Sequence, residues 1–165
     1  MHIETQMDKQ TDRKSYSSIL LPVDFSECSL HARDYAVDLA NTYSSTLHLL
    51  YVVEPLDLFS GADGIEQSVY FDVMQSLRSQ AQERMERVVR ELSSLGLKVE
   101  SAVREGRPSD VITDYAVEKG IALICLSTHG RRGLNHLVLG STTEQVLRKA
   151  QCPVFVVRCQ QPSKS

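Results

Sequence analysis

The sequence has no apolar run approaching the roughly 20 residues that a membrane-spanning helix needs. It also has no dense block of Lys or Arg, and its formal net charge is -3 with a pI near 5.9. Neither the net charge nor the hydropathy therefore indicates binding to nucleic acid or to an anionic membrane. The polar stretch from Met1 to Ser17 lacks the apolar centre of a secretory signal. We expect a cytoplasmic protein with no membrane or nucleic-acid partner.

Residue patterns that hold metal ions are missing. None of the four cysteines forms a C-x-x-C pair, and the five histidines form no H-E-x-x-H arrangement, so no protein-held metal is expected. Cys125 lies inside an apolar run and is predicted to be a buried small hydrophobe. Cys152 and Cys159 flank another apolar run, which leaves a disulfide between subunits open. Reduced thiols are the state expected in the cytosol.

Motifs of dedicated catalysts are missing as well. There is no G-x4-G-K-[ST] segment, so the lysine that P-loop NTPases place on the transferring phosphate is lacking. The Ser, His and Asp residues match no hydrolase nucleophile elbow. No catalytic residue is assigned from the sequence.

What the 165-residue chain does contain is an alternation of apolar runs with helical patterns, at 42% hydrophobic residues, enough for the core of one domain. The predicted strands are Ile19 to Val23, Leu47 to Val53, Lys98 to Val103, Ile121 to Leu126 and Pro153 to Val157. Four helices are predicted. The first follows Ser26 as its N-cap, the second runs from about Val69 to Leu95, the third runs from Pro108 to Gly120, and the fourth follows Gly140. This order predicts an open five-stranded parallel α/β sheet with helices on both faces, because parallel neighbours need crossover connections.

The carboxyl ends of three predicted strands carry candidate ligand-binding segments. In open parallel sheets, ligands lie beyond these ends, at the point where the strand order reverses. Pro22 and Asp24 follow the first strand, Val52 lies at the end of the second, and Ser127 to Gly130 follows the fourth. The three segments converge on one crevice if the first and fourth strands are neighbours.

A candidate phosphate site precedes the last predicted helix, where Gly130 and nine further residues lead to Gly140-Ser141-Thr142-Thr143-Glu144. A helix N-terminus has unpaired N–H groups and partial positive charge, which suit an anion. Glycines permit positive φ and close backbone approach, and Arg131 and Arg132 add positive charge. Ser141 and Glu144 also match the S-x-x-E capping box, which satisfies helix-end amides without a ligand. The local pattern leaves both interpretations open.

Several segments together resemble the universal stress protein family over residues 18 to 158. They are Leu20 to Ser26, Gly106-Arg107-Pro108, Ser127 to Arg131, Gly140-Ser141 and Cys152 to Val157. Nucleotide-binding members carry a G-x2-G-x9-G-[S/T] pattern, whose latter part is matched by Gly130, Gly140 and Ser141, while Ser127 replaces the first glycine. The resemblance implies a Rossmann-like, adenine nucleotide alpha hydrolase-like fold with strand order 3-2-1-4-5, flanked by tails at 1–17 and 159–165. It also implies a homodimer and bound adenine nucleotide, usually ATP.

The same resemblance implies a role for each matched residue. Pro22 and Asp24 would lie against adenosine, and Val52 would line the adenine pocket. The ribose and phosphates would be wrapped by Ser127, Thr128, His129, Gly130, Arg131, Arg132 and Gly133, and the phosphate end would be held by Gly140, Ser141, Thr142 and Thr143. From the residues alone, Asp24 can equally be a turn or helix-entry carboxylate, and Val52 can be core.

These observations favour an ATP-binding stress-response protein that acts as a nucleotide-dependent regulator or sensor. The homodimer would form through the edge strand Pro153 to Val157, since exposed edges pair with other chains. The alternatives are a nucleotide-free dimeric interaction module and a slow ATPase in which Mg²⁺ bridges the phosphates near Asp24. A flavin-linked domain has only fold analogy behind it.

Overall fold

The structure is a computed structural model that describes residues 16–55, 67–128 and 139–159. Strands and helices alternate along these ranges, as predicted. The elements are β1 (Ser18–Pro22), α1 (Glu27–Tyr43), β2 (Thr46–Val53), α2 (Gln67–Ser94), β3 (Lys98–Glu105), α3 (Pro108–Glu118), β4 (Leu123–Ser127), α4 (Ser141–Lys149) and β5 (Val154–Val157).

The boundaries follow local chemistry. Ser26 is the N-cap of α1, and its hydroxyl accepts from the Ser29 amide, as predicted. The fourth strand begins at Leu123 and not at the predicted Ile121. Gly120 has φ +59, and the Ile121 amide donates to the Ala116 carbonyl, so Ile121 completes the exit of α3.

The sheet has the order β3-β2-β1-β4-β5, and every neighbouring pair is parallel. β1 pairs with β2 from Ser18↔Thr46 to Pro22↔Leu50, and it pairs with β4 at Ile19↔Leu123. The predicted fold, Rossmann-like and adenine nucleotide alpha hydrolase-like, is confirmed. The order reverses between β1 and β4, so the adjacency on which the crevice depends is confirmed too.

Apolar side chains cover both faces of the sheet. Ile19 and Leu21 of β1 face a cluster beneath α1 and α2 that includes Ala36 and Met85. Leu20, between them, faces a second cluster beneath α3 and α4, which includes Ile112, Tyr115, Ile124 and Val146. Alternate residues of one strand thus enter opposite cores, which explains why the strands read as continuous apolar runs.

The cysteines depart from the expectation of reduced thiols. A disulfide joins Cys28 to Cys159, so Cys159 is bonded within the chain and not to another subunit. The bond arises because the start of α1 and the residues after β5 meet at the carboxyl edge of the sheet, which sequence spacing does not reveal. Cys125 is buried as predicted, and burial raises the pKa of its thiol to about 12.

Parts of the predicted tails contact the domain. The Tyr16 ring packs edge to face on Tyr43, with centroids 5.1 Å apart, and the Thr46 amide donates to the Ser17 carbonyl across 3.0 Å. Cys159 is held by its disulfide. Residues 1–15 and 160–165 lie outside the described residues. In the part of the chain that is described, no helix is both long and apolar enough to cross a bilayer.

Candidate functional site

The crevice lies at the carboxyl edge of the sheet, where β1 and β4 part. β1 ends at Pro22, and the Val23 amide still donates to the Leu50 carbonyl across 2.8 Å before the chain turns toward α1. The parallel register therefore brings Pro22, Asp24 and the end of β4 to one edge. Val52 is half-buried and packs against the cluster beneath α3 and α4, so the core interpretation accounts for part of its surface.

Asp24 has the helix-entry role that the sequence left open. Its Oδ1 accepts from the Ser26 amide at 3.0 Å and from the Ser26 hydroxyl at 2.6 Å, and its own amide donates to Ser29 Oγ at 3.3 Å. A charge-assisted bond to the residue that caps α1 orients the carboxylate strongly. The half-buried Asp24 side chain is thus fixed in position at the crevice by the first turn of α1.

The turn between Asp24 and Ser26 depends on an unusual backbone at Phe25. Phe25 has φ +60, a left-handed conformation that costs a bulky residue about 1–2 kcal/mol. The ring stacks on Tyr51 of β2 with centroids 5.2 Å apart, and the Arg84 guanidinium of α2 lies 4.1 Å from its centroid. These contacts on two elements stabilise the turn that presents Asp24.

Thr128 links β4 to two other elements. Its amide donates to the Val157 carbonyl at 2.9 Å, its carbonyl accepts from the Gly140 amide at 2.8 Å, and its hydroxyl accepts from the Cys159 amide at 3.1 Å. Thr143 Oγ1 donates to the Ser127 carbonyl at 2.9 Å. The structure therefore brings together the predicted residues at the end of β4 and the start of α4. The predicted residues His129, Gly130, Arg131, Arg132 and Gly133 lie outside the described residues.

Among the residues that the structure describes, none caps the N-terminus of α4 with its side chain. Gly140 is the N-cap, Ser141 is the first helical residue, and the Glu144 carboxylate pairs with Arg148 at 2.7 Å. The capping-box interpretation of Ser141 and Glu144 is therefore wrong. Gly140 has φ -60, a value that any residue can adopt. The property of glycine that matters for ligand approach at this position is therefore its missing Cβ, not its access to positive φ.

Three backbone amides at this terminus can receive a ligand. The first intrahelical bond is donated by Glu144 to the Gly140 carbonyl. Within residues 16–55, 67–128 and 139–159, no acceptor meets the amides of Ser141, Thr142 or Thr143. With the helix dipole, they form a positive site suited to an anionic oxygen. No three His, Cys, Asp or Glu side chains of the described ranges cluster in a way that would hold a metal.

Two features of this edge were missed by sequence reasoning. No pattern marks the stack of Arg84 on Phe25, because the two residues lie 59 positions apart on different elements. The Cys28–Cys159 bond could have been suspected from the strand order, since one cysteine follows the first strand and the other follows the fifth.

Comparisons with known proteins agree with this geometry. The sequence profile of the universal stress protein family matches residues 15–158. Universal stress protein MJ0531 of Methanocaldococcus jannaschii is 31% identical over 143 residues, which cover 87% of this chain and 82% of that protein. The solved structure of MJ0577, from the same organism, superposes with a TM-score of 0.80 at 28% identity and covers 90% of this chain and 99% of its own.

A more distant solved structure shares the fold alone. It is an Arabidopsis thaliana universal stress protein family member with AMP bound, 19% identical, with a TM-score of 0.62 over 89% of this chain and 96% of its own.

Proposed function

This chain belongs to the universal stress protein family, and on that premise we propose that it binds ATP in the crevice between β1 and β4 as a nucleotide-dependent regulator or sensor of the stress response. One observation carries the proposal. The uncapped N-terminus of α4 is fixed beside the end of β4 by the Gly140 to Thr128 hydrogen bond, with three amides left for an anion. That is where an open parallel sheet binds phosphate.

The proposed nucleotide contacts lie on two sides of the crevice. On the β1 side, Pro22 and Asp24 would contact the adenosine, and Val52 would lie against the adenine ring. On the β4 side, Ser127 and Thr128 begin the segment that would enclose the ribose and phosphates, together with His129, Gly130, Arg131, Arg132 and Gly133. The phosphate end would lie on Gly140, Ser141, Thr142 and Thr143. The Arabidopsis structure with AMP bound supports an adenine nucleotide as the class of ligand, because that protein shares the fold.

Ser127 is the position at which the chain departs from the family pattern. Its carbonyl accepts from Thr143 Oγ1 at 2.9 Å, so its backbone contributes to the fold, while in the proposed site its Cβ would take up space that a glycine leaves to the ligand. Replacing Ser127 by Gly should therefore strengthen nucleotide binding.

The proposal includes a homodimer through β5. This strand is the sheet edge and pairs with β4 alone in the described sheet. Phe155 is 39% exposed and Tyr35 is 44% exposed, and their ring centroids lie 6.3 Å apart. Two large rings are therefore exposed beside the open edge. A two-fold partner that uses the same strand would cover both.

Titration calorimetry with ATP, ADP and AMP tests the nucleotide site. Gly140→Val should abolish binding, because its branched Cβ would stand where the phosphate approaches the amides. Ser79→Val, on the exposed face of α2, is the matched control and should bind as the parent protein does.

A second measurement identifies what the protein carries from the cell. Denatured, freshly purified protein should release ATP, identified by chromatography and its ultraviolet spectrum. Flavin absorbance would contradict the proposal. No released nucleotide together with no heat of binding would point to the nucleotide-free interaction module instead.

A further inference from the structure

The Cys28–Cys159 disulfide lies at the same edge of the sheet as the crevice. Cys28 is the second residue of α1, directly after the turn that contains Asp24, and it is 4% exposed. Cys159 is the second residue after β5, and it is half-buried. The covalent bond therefore joins the β1 side of the crevice to the chain that leaves the sheet edge.

A short path of contacts connects this bond to the proposed phosphate site. The amide of Cys159 donates to Thr128 Oγ1 at 3.1 Å, and the Thr128 carbonyl accepts from the Gly140 amide at 2.8 Å. Gly140 caps the helix whose amides would bind phosphate. Only Thr128 separates the disulfide-bonded residue from that cap.

Within the described ranges, the end of β5 is held by the buried Val157, whose carbonyl accepts from the Thr128 amide at 2.9 Å, whereas Arg158 beyond it is exposed. β5 has four residues and one neighbouring strand, and the ring contact from β5 to α1 is Tyr35 with Phe155 at 6.3 Å. Segments that follow a short edge strand separate readily from the sheet unless further contacts hold them. The covalent bond fixes Cys159 itself, the residue whose amide donates to Thr128, beyond the last bond that Thr128 makes to β5.

We propose that the Cys28–Cys159 pair is a redox switch of the crevice, in which the disulfide holds Thr128 and the α4 cap in their binding arrangement and its reduction releases them. The nucleotide part of this proposal rests on the proposed function. Reduction should weaken ATP binding roughly tenfold, the loss that corresponds to one positioning hydrogen bond.

The chemistry is a two-electron exchange with a dithiol reductant. A dithiol thiolate attacks Sγ of Cys159, the more exposed of the pair, and Cys28 leaves as a thiolate that takes up a proton. The second thiol of the reductant then closes its own disulfide and releases Cys159, which is protonated in turn. A disulfide oxidant reverses both steps. Cys125 takes no part, because it is fully buried on β4.

The test is calorimetry with ATP on one preparation before and after dithiothreitol, with the bond followed by a mass change of about 2 Da from the two added protons. We expect roughly tenfold weaker binding after reduction. The double variant Cys28→Ser with Cys159→Ser should bind weakly with and without dithiothreitol. Cys152→Ser, a free cysteine outside the pair, should respond as the parent protein does. Equal affinity with the bond intact and broken would overturn the switch, as would a mass showing that no bond forms under oxidant.

A readout without nucleotide separates this proposal from the proposed function. The rate of hydrogen exchange of the Gly140 amide, measured by NMR, should increase on reduction in the parent protein. In the double variant, the rate should stay constant. Faster exchange without ATP binding in either state would support the switch and contradict the nucleotide site. Equal ATP binding in both states with unchanged exchange would do the reverse.

Discussion

The Gly140 amide donates to the Thr128 carbonyl across 2.8 Å, and this bond joins the end of β4 to the cap of α4. Thr128 and Gly140 therefore lie side by side at the crevice edge. Thr143 reinforces the junction through the Ser127 carbonyl. The orientation of the α4 amides is in this way set by the sheet itself.

Thr143→Val should destabilise the domain. Thr143 is buried, and Val keeps its shape but leaves the Ser127 carbonyl without the hydroxyl donor, at a cost of about 1–2 kcal/mol. Urea unfolding measures the change in the free energy of unfolding. The same substitution at Thr42, whose hydroxyl bonds the Asp38 carbonyl on the exposed end of α1, should cost less than about 0.5 kcal/mol because water replaces the bond. A cost below about 0.5 kcal/mol at Thr143 would show that the junction is not a stabilising contact.

Arg84→Met should weaken the turn at Phe25 by about 1 kcal/mol, because the cation over the ring is lost while the apolar stem is kept. Urea unfolding is again the measurement, with Arg87→Met on the exposed surface of α2 as the control. In a Phe25→Leu background, Arg84→Met should have almost no effect. A full cost in that background would assign the contribution of Arg84 to some other contact.

Gly106→Ala should be more destabilising than Gly96→Ala. Both glycines have positive φ, at +139 and +86, so each substitution introduces backbone strain of about 1–3 kcal/mol. Only at Gly106 would the new Cβ also meet a neighbour, the Val111 side chain at 2.9 Å, while Gly96 faces open space. Thermal unfolding should rank the two variants accordingly, and Val111→Ala should recover part of the Gly106→Ala loss. A Gly96 variant as unstable as the Gly106 variant would mean that strain alone decides.

His48 should make the domain less stable in mild acid. Burial lowers the pKa of His48 below 6.5, an effect that Glu100 partly offsets by raising it and that Lys119 adds to by lowering it. As the pH falls through 6.5, the unfolded chain takes up the proton before the folded protein does, so stability is complete above this pH and declines below it.

The test of His48 compares free energies of unfolding in urea at pH 7.5 and pH 5.5. His48→Gln, whose amide can either donate to or accept from the Tyr115 hydroxyl that lies 3.3 Å from Nδ1, should show a smaller loss between the two pH values. His31→Gln, on the exposed side of α1, should keep the parent pH dependence. An unchanged loss in the His48 variant would show that other groups cause it.

Val156→Lys should split the proposed dimer, because a charge on the edge strand would be buried against the partner. Sedimentation velocity should show a monomer with an unchanged circular dichroism spectrum. Val117→Lys, on the exposed face of α3, is the matched control and should remain dimeric. An intact dimer in the Val156 variant would remove β5 from the interface.

The sequence predicts the fold well because its strands are strongly apolar and its helices carry local stop signals. The apolar run ending at Leu126 and the Pro108 and Gly120 boundaries report interactions within a few residues, which periodicity detects. The helix-entry role of Asp24, one of the two interpretations that the sequence allows, is also local, because Asp24 accepts from Ser26 two positions later.

Local patterns do not decide the start of α4 or the contacts between elements. The S-x-x-E pattern at Ser141 is compatible with a capping box, but Gly140, one residue earlier, is the N-cap, and Glu144 pairs with Arg148 within α4. The left-handed backbone of Phe25 is accompanied by ring contacts with Tyr51 of β2 and Arg84 of α2, which no local pattern reports. The pairing of Cys28 with Cys159 likewise depends on the topology of the whole sheet.

The disulfide also changes how the sheet can come apart. A four-residue strand at an edge would ordinarily peel away from its free end, one hydrogen bond after another. Here that end is anchored to α1, 131 positions earlier in the chain. Separation of β5 from β4 that starts at the carboxyl end of β5 is therefore blocked in the oxidised protein. Local unfolding of the sheet has to begin elsewhere in the domain.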